Sequence, residues 1–255
     1  MRTVCVFNHK GGVGKTTTAV NIAAGLSRNN KKVLLVDLDP QGNIDVSLHL
    51  KAEYSLYDAM TSKVPIQNCI IHLATNFDVI TSRESLTKAE YHLSQNNGRL
   101  LLKEILSKIT GYDYMIIDCP PSLGLLNQNV LAFCQEAFVP VSTDYLGFDA
   151  LKKMHAITQK INEGYGNTLK ITKIIPTLFD TRNKICKETL AAMRSEYNGL
   201  LSTPVRYNSK LKEAPKHGQS IFKYAKSSSG AQDYNKIVEE VLAMESVKVT
   251  TPEAS

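Results

Sequence analysis

The sequence predicts an α/β fold: a single domain of three layers, with helices on both faces of a mostly parallel, twisted central sheet. Three observations carry this reading. Short apolar runs recur along the chain and end at glycines, acids or turn residues, as buried parallel strands do. Stretches with apolar residues at helical spacing separate those runs, the alternation expected of parallel β-α-β units. No Pro/Gly/Ser-rich linker divides the 255 residues, a length that suffices for one domain with a sizeable core. Residues 1–245 are assigned to that domain and the polar residues 246–255 to a flexible C-terminal tail.

Taken in order, residues 3–8 (TVCVFN) read as a strand that runs into a glycine-rich turn. Residues 16–28 read as a helix, with Ala19, Ile22, Ala23 and Leu26 on one face, and residues 33–37 (VLLVD) as a second strand. Further strands are predicted at 77–81, 114–118, 137–141 and 171–175. Helices are predicted at 99–109, 123–133, 148–162, 187–197 and 233–244, with a loop at 227–230 before the last.

Composition narrows the function classes. No apolar run reaches the ~18 residues that a membrane span needs. No signal-type cleavage pattern follows Met1, so a cytoplasmic location is expected. The five cysteines, Cys5, Cys69, Cys119, Cys134 and Cys186, are widely spaced and include no C-x-x-C. That argues against a disulfide framework or a zinc site. The net charge of +6 suits a polyanionic partner, and basic residues are dense between Lys170 and Lys226.

The sharpest motif is Lys10-Gly11-Gly12-Val13-Gly14-Lys15-Thr16-Thr17, placed after one strand and before one helix. Glycines let backbone N–H groups approach an anion, and the helix N-terminus adds its dipole. In such a loop Lys15 reaches the β- and γ-phosphates of ATP, and the Thr16 hydroxyl ligates Mg²⁺. The standard pattern wants a glycine where this chain has His9. KGGVGKTT instead resembles the deviant Walker A motif of the ParA/MinD group of P-loop ATPases, whose extra signature lysine falls at Lys10. The partition branch often begins N-Q-K-G-G, and His9 departs from that.

Two further segments extend the resemblance. Asp37-Leu38-Asp39-Pro40-Gln41-Gly42 matches the family's D-x-D-P-Q-G, at the carboxyl end of a strand, where α/β ligands bind. The resemblance implies that Asp39 positions or activates the attacking water and that Asp37 supports the metal region. Asp118, at the end of the YMIID strand and before Cys119-Pro120-Pro121-Ser122, is the Walker B candidate near Mg²⁺. For Lys10 the resemblance implies a role across a homodimer interface, on the phosphates of the other subunit's ATP, which would tie hydrolysis to dimerisation.

The C-terminal half adds V-P-V-S-T-D-Y at 139–145, with Asp144 where the family usually has Glu. It also adds N-S-K-L-K-E-A-P at 208–215, similar to the family's R-N-x-R-L-x-E-A-P. By resemblance Asn208 and Pro215 are candidate contacts to the adenine. The resemblance is closest to short ParA/Soj-type partition ATPases, because the first strand leaves no room for an N-terminal DNA-reading extension. It implies an ATP-bound dimer that binds duplex DNA without sequence preference and associates with the nucleoid. A ParB-like centromere-binding adaptor would stimulate hydrolysis. Lys184, Lys187, Arg206, Lys210, Lys212 and Lys216 are the candidate DNA contacts. Two alternatives stand beside this reading: a relative that positions a non-DNA cargo, and a MinD-like membrane-associated ATPase. The acidic residues 239–246 weigh against the membrane, because that branch carries a basic amphipathic C-terminal helix.

Overall fold

The computed structural model describes residues 1–95 and 100–248 and places seven strands in one sheet. These are β1 (Arg2–Val6), β2 (Val33–Asp37), β3 (Ile70–Ala74), β4 (Phe77–Ile80), β5 (Tyr114–Asp118), β6 (Glu136–Ser142) and β7 (Lys170–Thr177). Their order is β3-β4-β2-β5-β1-β6-β7, and every pairing is parallel except the β3–β4 hairpin. The central strands β2 and β5 and the edge-proximal β6 are buried along their whole length, as strands covered on both faces must be.

The helices are α1 (Lys15–Arg28), α2 (Asn43–Leu48), α3 (Leu56–Met60), α4 (Ala89–Gln95), α5 (Leu101–Leu106), α6 (Leu125–Phe133), α7 (Tyr145–Tyr165), α8 (Lys184–Glu196), α9 (Ser209–Glu213), α10 (Ile221–Tyr224) and α11 (Ser229–Lys248). They cover two hydrophobic cores, one on each sheet face. On one side α1, α10 and α11 pack with Val4, Val33, Leu35, Tyr114 and Ile116. On the other, α3, α5, α6, α7 and α8 pack with Leu34, Val36, Met115, Ile117 and Val139. The contact of α1 with α11 is close at Gly25, where a Cβ would collide with Val238 Cγ2.

Every predicted strand and helix has a counterpart; several ends differ by a few residues, and at two helix starts a polar cap gives the reason. α7 begins three residues early because the Asp144 carboxylate accepts a hydrogen bond from Gly147 N at 2.8 Å. α8 begins at Lys184 because the Asn183 side chain accepts from Ile185 N at 2.9 Å. The loop expected at 227–230 is shorter than predicted, since Ser229 and Gly230 already belong to α11. There the Ser228 hydroxyl accepts from Ala231 N at 3.2 Å. Residues 246–248, assigned to the tail, continue α11; residues 249–255 lie outside the described residues, as does residue 99 at the start of a predicted helix. The sequence reading had no counterpart of β3, α2, α3, α4, α9 or α10.

Candidate nucleotide-binding site

The 10–17 loop connects β1 to α1, and three local features set its shape. Gly12 and Gly14 have φ of 74° and 84°, a left-handed conformation that side chains with a Cβ rarely adopt. Asn8, two residues past β1, is fully buried; its amide donates to Pro140 O at 2.8 Å and accepts from Lys10 N at 2.9 Å. From the far side the Thr177 hydroxyl donates to Val13 O at 2.9 Å. The loop is therefore held by β6 and β7 before any ligand arrives. Space around Gly11 and Gly12 is open, with nothing within 4 Å of a built Cβ.

A cavity of about 410 Å³ lies against this loop, lined by Gly11, Gly12, Gly14, Lys15, Thr16 and Thr17 and closed by Asp39, Pro121 and Pro215. Val13 is buried beneath the loop. The Lys15 ammonium donates to Lys10 O at 3.1 Å. Burial lowers the Lys15 pKa below that of an ordinary lysine, against the pull of Asp118 and Asp39. A phosphate in the cavity would supply the anion that this desolvated cation lacks.

Sheet register brings the acids together. Asp118 pairs with Val6 on β1 and with Asp37 on β2, so the two carboxylates end adjacent strands beside the loop. Asp37 is fully buried and accepts from Asp39 N at 2.9 Å and from Ile44 N at 3.1 Å. Burial, helped by the neighbouring acids, pushes its pKa up to about 7 despite those bonds. Asp118 is fully buried, and neither of its carboxyl oxygens has a hydrogen-bond partner of good geometry. Burial first and the Asp37 charge second hold it well above the carboxylate range, against the nearby Thr16 hydroxyl and Lys15.

A carboxylate orphaned in this way beside a threonine hydroxyl fits a hard divalent cation, which takes oxygen ligands and relieves the charge. Thr16 and Asp118 are the residues that would hold Mg²⁺. Asp37 stands behind them with both oxygens already engaged by backbone N–H groups. Among the described residues no cluster of three or more His, Cys, Asp or Glu side chains forms a metal cage. That is as expected for Mg²⁺ held by one or two protein groups together with phosphate oxygens. Asp39 is freer: its oxygens accept from Gln41 N at 3.0 Å and from the Asn43 amide at 3.4 Å, and it faces the cavity.

Lys10 does not line this cavity. Its ammonium donates to Asp144 Oδ1 at 2.9 Å and to Ser142 Oγ at 3.2 Å, at the start of α7. The site divides the two expected base contacts. Pro215 lines both the main cavity and a neighbouring one of about 340 Å³, whereas Asn208 lines only the neighbour. Asn208 caps α9 through Lys210 N at 2.8 Å and donates to Ser229 Oγ at 2.5 Å, so its amide is structurally engaged. The sequence reading missed Asn21, Asn43, Leu211, Ala214 and Gln219 in the cavity wall. Asn21 donates to Thr17 O and accepts from Ile221 N, each at 2.8 Å, tying the phosphate loop to the 214–221 turn.

A family model described as an AAA domain matches residues 1–171. The chromosome-partitioning ATPase Soj of Treponema pallidum is 36% identical over 249 residues, covering 95% of this chain and 97% of its own. The chain belongs to the ParA/Soj family of P-loop ATPases. The chromosome partitioning protein ParA of Myxococcus xanthus, another member, is 34% identical over 254 residues, with 97% of this chain and 90% of that protein covered. Among solved structures, cobyrinic acid a,c-diamide synthase from Mycobacterium smegmatis, with bound ATP analogue and magnesium, superposes with a TM-score of 0.84. It is 28% identical and covers both chains completely. ParA/Soj membership makes this protein an ATPase whose cofactor set is ATP with Mg²⁺.

The basic residues expected to meet DNA are unequally free. Arg206 is bound to the buried Asp233 carboxylate at 2.6 Å. Lys184 lies 3.5 Å from Glu188 and Lys210 2.8 Å from Glu213, while Lys212 donates to the Tyr207 hydroxyl at 3.4 Å. Lys187 and Lys216 are exposed, and neither makes an ion pair among the described residues. No helix among those residues is long and apolar enough to cross a membrane.

Proposed function

We propose that this protein is a chromosome- or plasmid-partitioning ATPase that works as an ATP-sandwich dimer, binds duplex DNA nonspecifically in that state, and is reset by hydrolysis that a ParB-like adaptor stimulates. The position of Lys10 carries the reading. Its ammonium faces away from the phosphate cavity that Lys15 lines and rests on Asp144 at the rim. Next to Asp144 in the chain the surface exposes Tyr145 and Leu146, large apolar side chains suited to a second subunit. A cation placed there serves the phosphates of a facing ATP, as an arginine finger does.

Within one subunit the roles follow from placement. Lys15 and the loop N–H groups bind the β- and γ-phosphates, and Asp39 orients the attacking water. Thr16 and Asp118 hold Mg²⁺, which supplies charge neutralisation on the phosphate oxygens when bound. Asp37 fixes the 37–44 turn through its two backbone bonds and thereby aims Asp39. Pro215 and its neighbours Ala214 and Gln219 flank the base end. The relatives' partitioning names and the full-length match favour DNA over another cargo.

The test is light scattering on Asp39→Ala. With ATP and Mg²⁺ it should be a dimer, and with ADP a monomer. A monomer in both states would remove the sandwich mechanism.

A further inference from the structure

The segment 119–124 joins β5 to α6 and places Pro121 in the wall of the nucleotide cavity, three residues after Asp118. Its middle is exposed at Ser122 and Leu123, and it is held by its carbonyls. Asn127, on α6 and fully buried, donates its amide to Pro120 O at 2.8 Å and to Ser122 O at 2.5 Å. The adjacent Gln128 donates to Leu123 O at 2.9 Å. The Tyr165 hydroxyl, at the end of α7, donates to Gln128 Oε1 at 2.9 Å and so orients that amide. At the end of the segment, the Glu90 carboxylate of α4 comes so close to Gly124 that a Cβ there would collide with it.

Two features separate Asn127 from a residue that merely packs α6. Its Oδ1 is buried and has no hydrogen-bond partner, a cost that an apolar side chain in the same place would avoid. Asn129, also on α6 and also fully buried, is satisfied at both ends: its amide donates to Leu125 O at 3.0 Å and its oxygen accepts from Leu102 N at 3.3 Å. Asn129 thus ties α6 to α5, whereas both bonds of Asn127 go to the 120–122 loop. A half-satisfied polar group in a core marks a position kept for something other than stability.

We infer that Asn127 is a positioning residue for ATP hydrolysis, one that sets the 120–124 loop against the phosphate cavity without lining that cavity itself. The inference rests on the assignment of Asp118 and the 10–17 loop to Mg²⁺ and ATP above. A trans peptide points the C=O of one residue opposite to the N–H of the next. With the carbonyls of Ser122 and Leu123 drawn toward α6, the N–H groups of Leu123 and Gly124 face away from it, and neither has an acceptor among the described residues. At the other end Cys119 N donates to Val6 O at 3.2 Å. The path from Asp118 through Pro121 to those free donors is therefore fixed by β1 on one side and by Asn127 and Gln128 on the other. Without the clamp the 10–17 loop still binds nucleotide, but the 120–124 loop drifts, and a displacement of about 1 Å in a catalytic site costs turnover.

The experiment measures phosphate release over a range of ATP concentrations, with full-length protein and Mg²⁺, for wild type, Asn127→Ala, Gln128→Ala, Asn129→Ala and Asp118→Asn. A fluorescent-nucleotide titration gives affinity, and thermal unfolding gives stability. Asn127→Ala should lower kcat by roughly tenfold or more, with KM and nucleotide affinity within about threefold of wild type. Gln128→Ala, which frees only Leu123 O, should lower kcat by about threefold, and it decides the matter if Asn127→Ala does not fold. Asn129→Ala should lose a comparable amount of Tm, because its bonds are equally buried, and keep kcat within about twofold. Folded Asn127→Ala with wild-type kcat overturns the inference, as does wild-type kcat in Gln128→Ala where Asn127→Ala does not fold. An equal loss of kcat in Asn129→Ala also overturns it, since the effect would then be one of α6 packing. Wild-type turnover in Asp118→Asn overturns instead the site assignment on which the inference rests.

Discussion

Replacing Asp144 with Asn removes the charge that holds Lys10 while keeping a side chain able to cap α7. The structure allows the two effects to be separated. Asp144 Oδ1 receives both the Lys10 ammonium at 2.9 Å and Gly147 N at 2.8 Å. Partial burial pushes the Asp144 pKa up, but the bonds from Ser142, Lys10 and Gly147 outweigh it and hold the carboxyl below the ordinary range. The stabilisation it gives is therefore complete above the unfolded carboxylate pKa and is lost as pH falls through the lowered folded value. The ion pair is roughly a quarter to a half exposed, with side chains 28% and 47% accessible. Such a pair contributes about 0.5–1 kcal/mol. If Lys10 must leave Asp144 to cross the interface, two copies release about 1–2 kcal/mol per dimer, a roughly 5- to 30-fold tighter dimer. Asp144→Ala removes the cap as well and should cost about 1 kcal/mol of stability. Sedimentation velocity with a non-hydrolysable ATP analogue gives the dimer constant, and thermal unfolding gives the cap term. An unchanged or weaker dimer in Asp144→Asn would refute the idea that Asp144 restrains Lys10.

Lys15→Ala should abolish tight ATP binding in a fluorescent-nucleotide titration, because it removes the buried cation of the phosphate cavity. Asp39→Ala should keep ATP affinity and lose phosphate release; wild-type turnover would take Asp39 out of the reaction. Arg206→Ala should lower stability by about 1–3 kcal/mol, because the buried Asp233 carboxylate loses its cation and keeps only the bond from the residue-206 backbone N–H. At this chain length each kcal/mol shifts Tm by roughly 2–4 °C. Any loss of DNA binding in that variant has to be weighed against calorimetry. Gly25→Ala should cost about 1–3 kcal/mol through the clash with Val238, read in a urea unfolding curve.

The phosphate loop and the order of the central elements were legible because their signals are local. Glycines at 12 and 14 answer a backbone requirement, and VLLVD and YMIID are buried on both faces. β3 escaped because IIHLA lies at the sheet edge with no fully buried residue, so its pattern carries no strong period. That Asp37 and Asp118 stand side by side is a matter of register between strands 81 residues apart, which no local pattern reveals. The basic residues were the least legible. A lysine bound to a carboxylate three or four residues away, as Lys210 and Lys184 are, looks the same in sequence as a free one.

The central claim is that Lys10 acts on the ATP of the other subunit, and mixing two inactive variants tests it directly. Lys10→Ala keeps Asp39 but lacks the cation it would lend; Asp39→Ala keeps Lys10 but cannot orient water. In a mixed dimer the ATP bound by the Lys10→Ala subunit meets its own Asp39 and the other subunit's Lys10. Random pairing in a two-fold dimer makes half the dimers mixed, each with one working site, so phosphate release should recover to about a quarter of wild type. Mixed dimers that form by light scattering and still release no more phosphate than the separate variants would contradict the account.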